Sequence, residues 1–116
     1  MSTANFIVIQ DGTSTIQDNS LSHPDHVELP QFGATDANLA LRPVLTFKAI
    51  PAGDVTLTIT LNGSDVLTKT FSSGSERMLS EVVNENILQA NVNEVIVSAT
   101  GSAQISLSDL VLWYRK

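Results

Sequence analysis

With 116 residues, 42% of them hydrophobic and only 16% charged, the chain holds one core and no second; a domain of this length buries roughly 65% of the surface its unfolded form exposes. The formal net charge is −6 and the six Lys and Arg gather in no basic stripe, which argues against nucleic acid and anionic membrane as partners. Cysteine is absent, so disulfides and thiolate metal sites are excluded and redox chemistry gives no compartment.

Residues 1–10 contain the apolar run Phe6-Ile-Val-Ile9 with no basic residue before it, and so read as a first strand instead of a leader peptide. No stretch approaches the ~20 consecutive apolar residues of a membrane helix. The β-branched content of Phe6–Ile9 suggests a strand buried on both faces. Residues 11–25 are rich in turn formers and read as a long loop, with room for a brief strand around Ile16; connections of this length usually bind or cover something.

His26-Val-Glu-Leu-Pro30 alternates and reads as a strand ended by Pro30. Residues 31–42 form a second long connection, in which Asn38–Arg42 fits either one helical turn or an edge strand. Val44–Ile50 is a strand, Pro51-Ala-Gly-Asp54 a turn, and Val55-Thr-Leu-Thr-Ile-Thr-Leu61 alternates without a fault. That period of two places Val55, Leu57, Ile59 and Leu61 on a core face and Thr56, Thr58 and Thr60 on a wet one. Asn62-Gly63 follows at once; both residues accept the positive φ of a type I′ turn, so Asp65–Phe71 returns as the hairpin partner.

After Ser72–Ser75, the run from Glu76 to about Val83 reads as a strand, and Ile87-Leu88 as part of a helical turn. Glu94–Thr100 and Ala103–Tyr114 flank a Gly-Ser turn and form a closing hairpin. The expected fold is therefore all-β: an antiparallel jelly-roll β-sandwich of about eight strands with little helix, one domain over residues 1–116.

Thr58-Ile-Thr-Leu-Asn-Gly-Ser-Asp-Val66, Asn86-Ile-Leu-Gln-Ala-Asn-Val-Asn-Glu-Val-Ile-Val97 and Ile105-Ser-Leu-Ser-Asp-Leu-Val-Leu112 together resemble the galactose-binding-like jelly rolls. In these domains a strand ending in Asn-Gly precedes a Leu-rich turn, an Asn that opens the next strand and a terminal strand with an Asp near its middle. The resemblance covers the C-terminal half. It implies a carbohydrate-binding module or lectin, with a site made from loops at one end and sometimes a structural calcium. The chain departs from that pattern in having only 5% aromatic residues, so few rings are available to stack on a sugar.

Candidate site residues are few. His23-Pro-Asp-His26 sets two imidazoles and a carboxylate, Asp25, within four residues; this trio reads either as metal ligands or as a solvated Pro-Asp turn. Asp11, Asp18, Asp25 and Asp36 are candidates for calcium but lack EF-hand spacing. No Ser lies in a Gly-x-Ser-x-Gly elbow, and a bare sandwich offers little cleft for a carboxylate pair, so no enzyme is expected. Trp113 and Tyr114 are adjacent on one strand and must point to opposite faces, one into the core and the other toward a partner or a sugar.

Two functions fit: a non-catalytic module that binds carbohydrate through loops 11–25 and 31–42, and an assembly subunit that forms a homo-oligomer through sheet edges or the Trp113 face. The terminal strand carries the sharpest structural expectation. Ile105 and Leu107 keep one phase, while Leu110, Leu112 and Tyr114 keep the other. An uninterrupted strand aligns Asp109 and Trp113 with the core residues, whereas a β-bulge at Ser108-Asp109 keeps the aliphatic residues and Tyr114 inward and turns Trp113 outward. The bulge is the expected solution, because a carboxylate in line with the core costs several kcal/mol unless paired.

Overall fold

Alternation of the kind seen in Val55–Leu61 organises nearly the whole molecule. The computed structural model describes residues 4–18, 22–72 and 76–116. Its strands are β1 (Ala4–Ile16), β2 (His26–Glu28), β3 (Val44–Pro51), β4 (Val55–Leu61), β5 (Ser64–Phe71), β6 (Arg77–Val82), β7 (Val95–Gly101) and β8 (Ile105–Arg115). They form two four-stranded antiparallel sheets, a first in the order β1-β8-β3-β6 and a second in the order β2-β7-β4-β5. The sheets close on one core that includes Phe47, Leu57, Ile59, Phe71, Val97, Ile105 and Leu107. This is the expected jelly-roll β-sandwich.

The β4–β5 hairpin follows the sequence pattern. Asn62 and Gly63 have φ of 53° and 83°, and Leu61 pairs directly with Ser64 across the turn. Val55, Leu57, Ile59 and Leu61 are buried, while Thr56, Thr58 and Thr60 lie on the outer face, where the Thr56 and Thr70 hydroxyls are 2.9 Å apart.

The bulge in β8 is present. Lys48 lies opposite Ser108 and Thr46 opposite Val111, so Phe47 alone on β3 faces two residues, Asp109 and Leu110, on β8. Asp109 takes the left-handed conformation, φ 56°. Leu107, Leu110, Leu112 and Tyr114 all enter the core and Trp113 turns outward.

Four expectations need correction. Residues 11–16 are strand, not loop: β1 runs on to a fully buried Ile16, and register shifts between Val8 and Gln10 and between Gln10 and Thr13 absorb the turn-forming residues. Phe6–Ile9 is not buried on both faces, since Phe6 and Val8 lie on the outer surface of an edge strand. Ile87-Leu88 belongs to a non-helical turn, because Asn86 at φ 68° breaks any helical path. Residues 38–42 are neither helix nor strand but a turn closed by the Leu41 N–H donating to the Asn38 carbonyl at 3.2 Å.

The length of β1 also separates the two long connections. Residues 17–18 and 22–25 sit with turns 51–54 and 101–104, tied by the Gln17 side chain to the Ser102 carbonyl and by the Ala52 N–H to the Gln104 carbonyl. Residues 29–43 sit at the other end with the Asn62-Gly63 turn and residues 83–94. In a molecule 46 Å long, the described residues 17–18 and 22–25 thus lie at the opposite end from residues 31–42.

Candidate functional site

β5 and β6 are consecutive in sequence yet end different sheets on the same side of the sandwich, so the core is bounded there by two unpaired strand edges. On β5 the inward residues are Leu67, Lys69 and Phe71, opposite the core residues Ile59, Leu57 and Val55; on β6 they are Arg77, Leu79 and Glu81, opposite Ala49, Phe47 and Leu45. Three of these inward positions carry charge. Lys69, Arg77 and Glu81 cannot give up hydration to a dry core without cost, so the sheets stay apart along this edge.

The result is a cleft of about 390 Å³. It is lined by Phe47, Val66, Leu67 and Leu79 with the inward Lys69 and Glu81, and Asp65, Thr68 and Ser80, in the outward phase of their strands, border its rims. The Lys69 ammonium lies 5.9 Å and the Arg77 guanidinium 5.7 Å from the centre of the Phe71 ring, within cation–π range. Inward-pointing charges also protect exposed strand edges from pairing with other chains. An inward ammonium and an inward carboxylate beside apolar side chains, with a further carboxylate and two hydroxyls at the rims, suit a small polyhydroxylated ligand, whose hydroxyls donate and accept in turn. Nothing in the sequence pattern marked this cleft, because its walls come from two strands read separately; the one signal was a charged residue at an inward position of each.

At the far end, Asn93 is the buried polar hub. Its Oδ1 accepts from the Gln89 N–H at 2.7 Å and from Asn62 Nδ2 at 2.9 Å, and its Nδ2 donates to the Gln89 and Phe32 carbonyls at 2.7 and 3.3 Å. Asn62 in turn donates to the Ile87 carbonyl and accepts from the Glu94 N–H. Every polar atom of Asn93 is thus spent holding loops 31–34 and 86–93 to the hairpin turn. A shallower hollow of about 200 Å³ lies beside it, lined by Gln31, Phe32, Gly33, Asn91 and Val92.

The residues singled out from the sequence lie apart. Asp25 and His26 are together, Nδ1 to Oδ1 2.8 Å, on the surface, and the hydrogen bond from His26 holds the Asp25 carboxyl below its usual range. Among the described residues, no three His, Asp or Glu side chains come close enough to hold a metal ion, so His23 does not complete a site with them. Asp36 lies near the other end. Its carboxylate accepts from Tyr114 Oη at 2.7 Å and Asn5 Nδ2 at 3.3 Å, with Lys116 Nζ at 3.6 Å. The Tyr114 hydrogen bond, then that of Asn5 and the charge of Lys116, hold the Asp36 carboxyl low, while burial first and Asp36 second push the Tyr114 phenol up. A carboxylate so engaged by donors and a cation is a poor calcium ligand. Trp113 is on the outer face of the first sheet, turned away from the core that borders the cleft.

No protein-family model and no curated protein matches the chain. Solved structures do. The chain superposes on part of dimeric latent PorU from Porphyromonas gingivalis with a TM-score of 0.70 at 13% identity, covering 99% of this chain but only 13% of that one. It is similar over nearly its full length to the CBM36-1 domain of a multidomain xylanase from the hindgut metagenome of Trinervitermes trinervoides, with a TM-score of 0.56, 8% identity and coverage of 95% and 96%. A carbohydrate-binding module CBM36 in complex with calcium and xylotriose matches with a TM-score of 0.50 at 7% identity, covering 100% of this chain and 99% of that one. The fold is that of a carbohydrate-binding-module jelly roll. At such identities the likeness speaks for the fold alone.

Proposed function

We propose that this domain is a non-catalytic module that binds carbohydrate, and that the ligand lies in the cleft between β5 and β6. The observation that carries the reading is the cleft itself. It falls within the 300–1,000 Å³ typical of small-ligand sites and combines apolar side chains with the inward Lys69 and Glu81 and with polar residues at its rims. Similarity of fold to carbohydrate-binding modules supports the ligand class. The sequence pattern pointed to the end loops as the ligand site; the separation of their described residues at opposite ends of β1 favours the edge cleft instead.

Lys69 donates to ring and hydroxyl oxygens, Asp65 and Glu81 accept from hydroxyls, and Leu67 and Leu79 cover the apolar face of a sugar ring. Such hydrogen bonds contribute about 1.5–3 kcal/mol each when one partner is charged. A glycan array followed by calorimetry with xylotriose and longer β-linked oligosaccharides tests this. Binding of at least one glycan, weakened about tenfold or more in Lys69→Ala and in Glu81→Gln, supports the proposal; the same glycan incubated with the protein releases no new reducing ends. Binding untouched by both substitutions places the ligand elsewhere, and hydrolysis of the glycan assigns Asp65 and Glu81 a catalytic role instead.

A further inference from the structure

Charge is distributed unevenly along the β5–β6 cleft. Lys69, near the end of β5, and Arg77, at the start of β6, turn inward opposite Leu57 and Ala49. Both cations approach the same Phe71 ring, at 5.9 and 5.7 Å from its centre. Leu67 and Leu79 occupy the next inward positions. Glu81 follows on β6 and Asp65 stands at the rim on β5, each roughly 13 Å along its strand from the cation it shares that strand with. The cleft thus runs from a cationic end, over an aliphatic middle, to a carboxylate end.

The charges of the two ends are not spent on each other. Among the described residues, Lys69, Asp65 and Glu81 take part in no ion pair, and Glu76, which precedes Arg77, pairs with Lys48 on the outer face of the first sheet. Lys69 and Glu81 are half-buried, so each keeps only part of its hydration. A cation so placed gains more from a ligand carboxylate than a fully solvated one does, because the apolar side chains around it lower the local dielectric. Two cations gathered on one ring also repel each other, and an anion beside both relieves that repulsion.

From this polarity we infer that the cleft takes an acidic oligosaccharide carrying a single uronic acid, its carboxylate at the Lys69–Arg77 end and its neutral rings over Leu67 and Leu79. The inference rests on the cleft being the carbohydrate site. Arg77 brings a planar fork of N–H donors that matches a carboxylate, and Lys69 adds a point charge. Glu81 and Asp65 accept from the hydroxyls of the neutral rings. The same two carboxylates limit the charge of the ligand. A chain acidic at every ring lays a further carboxylate against Glu81, in a protein whose formal net charge is already −6. The lightly acidic chain is therefore preferred over both the neutral chain and the polyuronate.

Calorimetry on the whole chain tests the inference with a neutral β-linked xylo-oligosaccharide, the same oligosaccharide bearing one glucuronic acid, the methyl ester of that acid, and an oligogalacturonate. The free acid is expected to bind about tenfold more tightly than the neutral chain and than the ester, because hydrogen bonds between ionised partners are about twice as strong as neutral ones. The oligogalacturonate is expected to bind more weakly than the single acid. The preference for acid over neutral chain should shrink in about 0.5 M salt, which shortens the reach of charge, and should fall at least threefold in Arg77→Gln. Equal affinity for acid, ester and neutral chain overturns this inference alone, as does a preference that Arg77→Gln does not alter or an oligogalacturonate that binds as tightly as the single acid. Absence of binding by every probe, or binding that Lys69→Ala and Glu81→Gln both leave untouched, overturns the functional reading beneath it as well.

Discussion

Asn93 shows how a single polar residue holds one end of the sandwich. It is fully buried, and its amide satisfies one backbone N–H, two backbone carbonyls and the Asn62 side chain. Removing it strands these partners away from water, and each stranded group carries a desolvation penalty that no new contact repays. Asn93→Ala is expected to lower stability by about 2–4 kcal/mol, seen as a lower urea midpoint; a shift under about 0.5 kcal/mol, the usual range for an ordinary surface substitution, would count against the network.

The Asp36–Tyr114 pair sets a pH window. The Asp36 carboxyl is held low, so its contribution is present above the ordinary carboxyl range and is lost as pH falls through the lowered value. Tyr114 is pushed up, so its contribution is present below the ordinary phenol range and is lost as pH rises through the raised value. The melting-temperature gap between wild type and Tyr114→Phe should be full between about pH 5 and pH 9 and narrow on both sides. A gap that does not vary with pH contradicts the pairing.

At the scale of elements, β8 depends on one extra residue. The bulge at Asp109 converts two conflicting apolar phases into a single buried row, and it was legible from Ile105–Tyr114 because a one-residue slip exchanges the two faces of a strand. Deleting Asp109 removes the extra residue and leaves Leu107, Leu110, Leu112 and Tyr114 in one unbroken inward alternation, so the shortened chain is expected to fold with Trp113 still outward, whereas inserting one Ala after Asp109 should drive Trp113 inward and Leu110, Leu112 and Tyr114 outward and abolish the near-UV circular dichroism of the fold. Asp109→Val keeps the count but forces a β-branched residue to positive φ, with an expected loss of at least about 1 kcal/mol. If the insertion melts like the wild type, the phase argument is wrong. β4 and its Asn62-Gly63 turn were legible for the same reason, since their pattern is local.

β1 was not. Asp11-Gly12-Thr13-Ser14 has the composition of a loop, and what makes it strand is a partner some hundred positions later, β8, together with register shifts that accommodate the misfit. Composition also misread Phe6–Ile9 as buried on both faces, because an apolar run does not distinguish a central strand from an edge strand with a covered or sticky outer face. The end loops were expected to hold the ligand because long connections usually bind something and the resembled jelly rolls bind through loops at one end; the strand that separates their described residues was the one whose length was underestimated.

The whole molecule joins three surfaces with different chemistry: a threonine-covered face, an apolar face around Trp113, and an edge cleft into which Lys69 and Glu81 turn, with Asp65, Thr68 and Ser80 at its rims. Of the residues legible as candidate site members, Asp25 and His26 pair with each other, Asp36 anchors Tyr114 and Trp113 belongs to the apolar face. The cleft stayed hidden because Lys69 and Glu81 share neither a strand nor a sheet. Only the closure of two sheets brings them to one edge.

The central claim is that carbohydrate binds in that cleft, and chemical-shift mapping of the backbone amides during titration with xylotriose and longer β-linked oligosaccharides tests it most directly. The account predicts shifts concentrated at Asp65–Lys69 and Leu79–Glu81, lost in Lys69→Ala, with the amides of Val111–Tyr114 unmoved. Shifts confined to the end loops or to the Trp113 face, or a spectrum that no oligosaccharide perturbs, would contradict it.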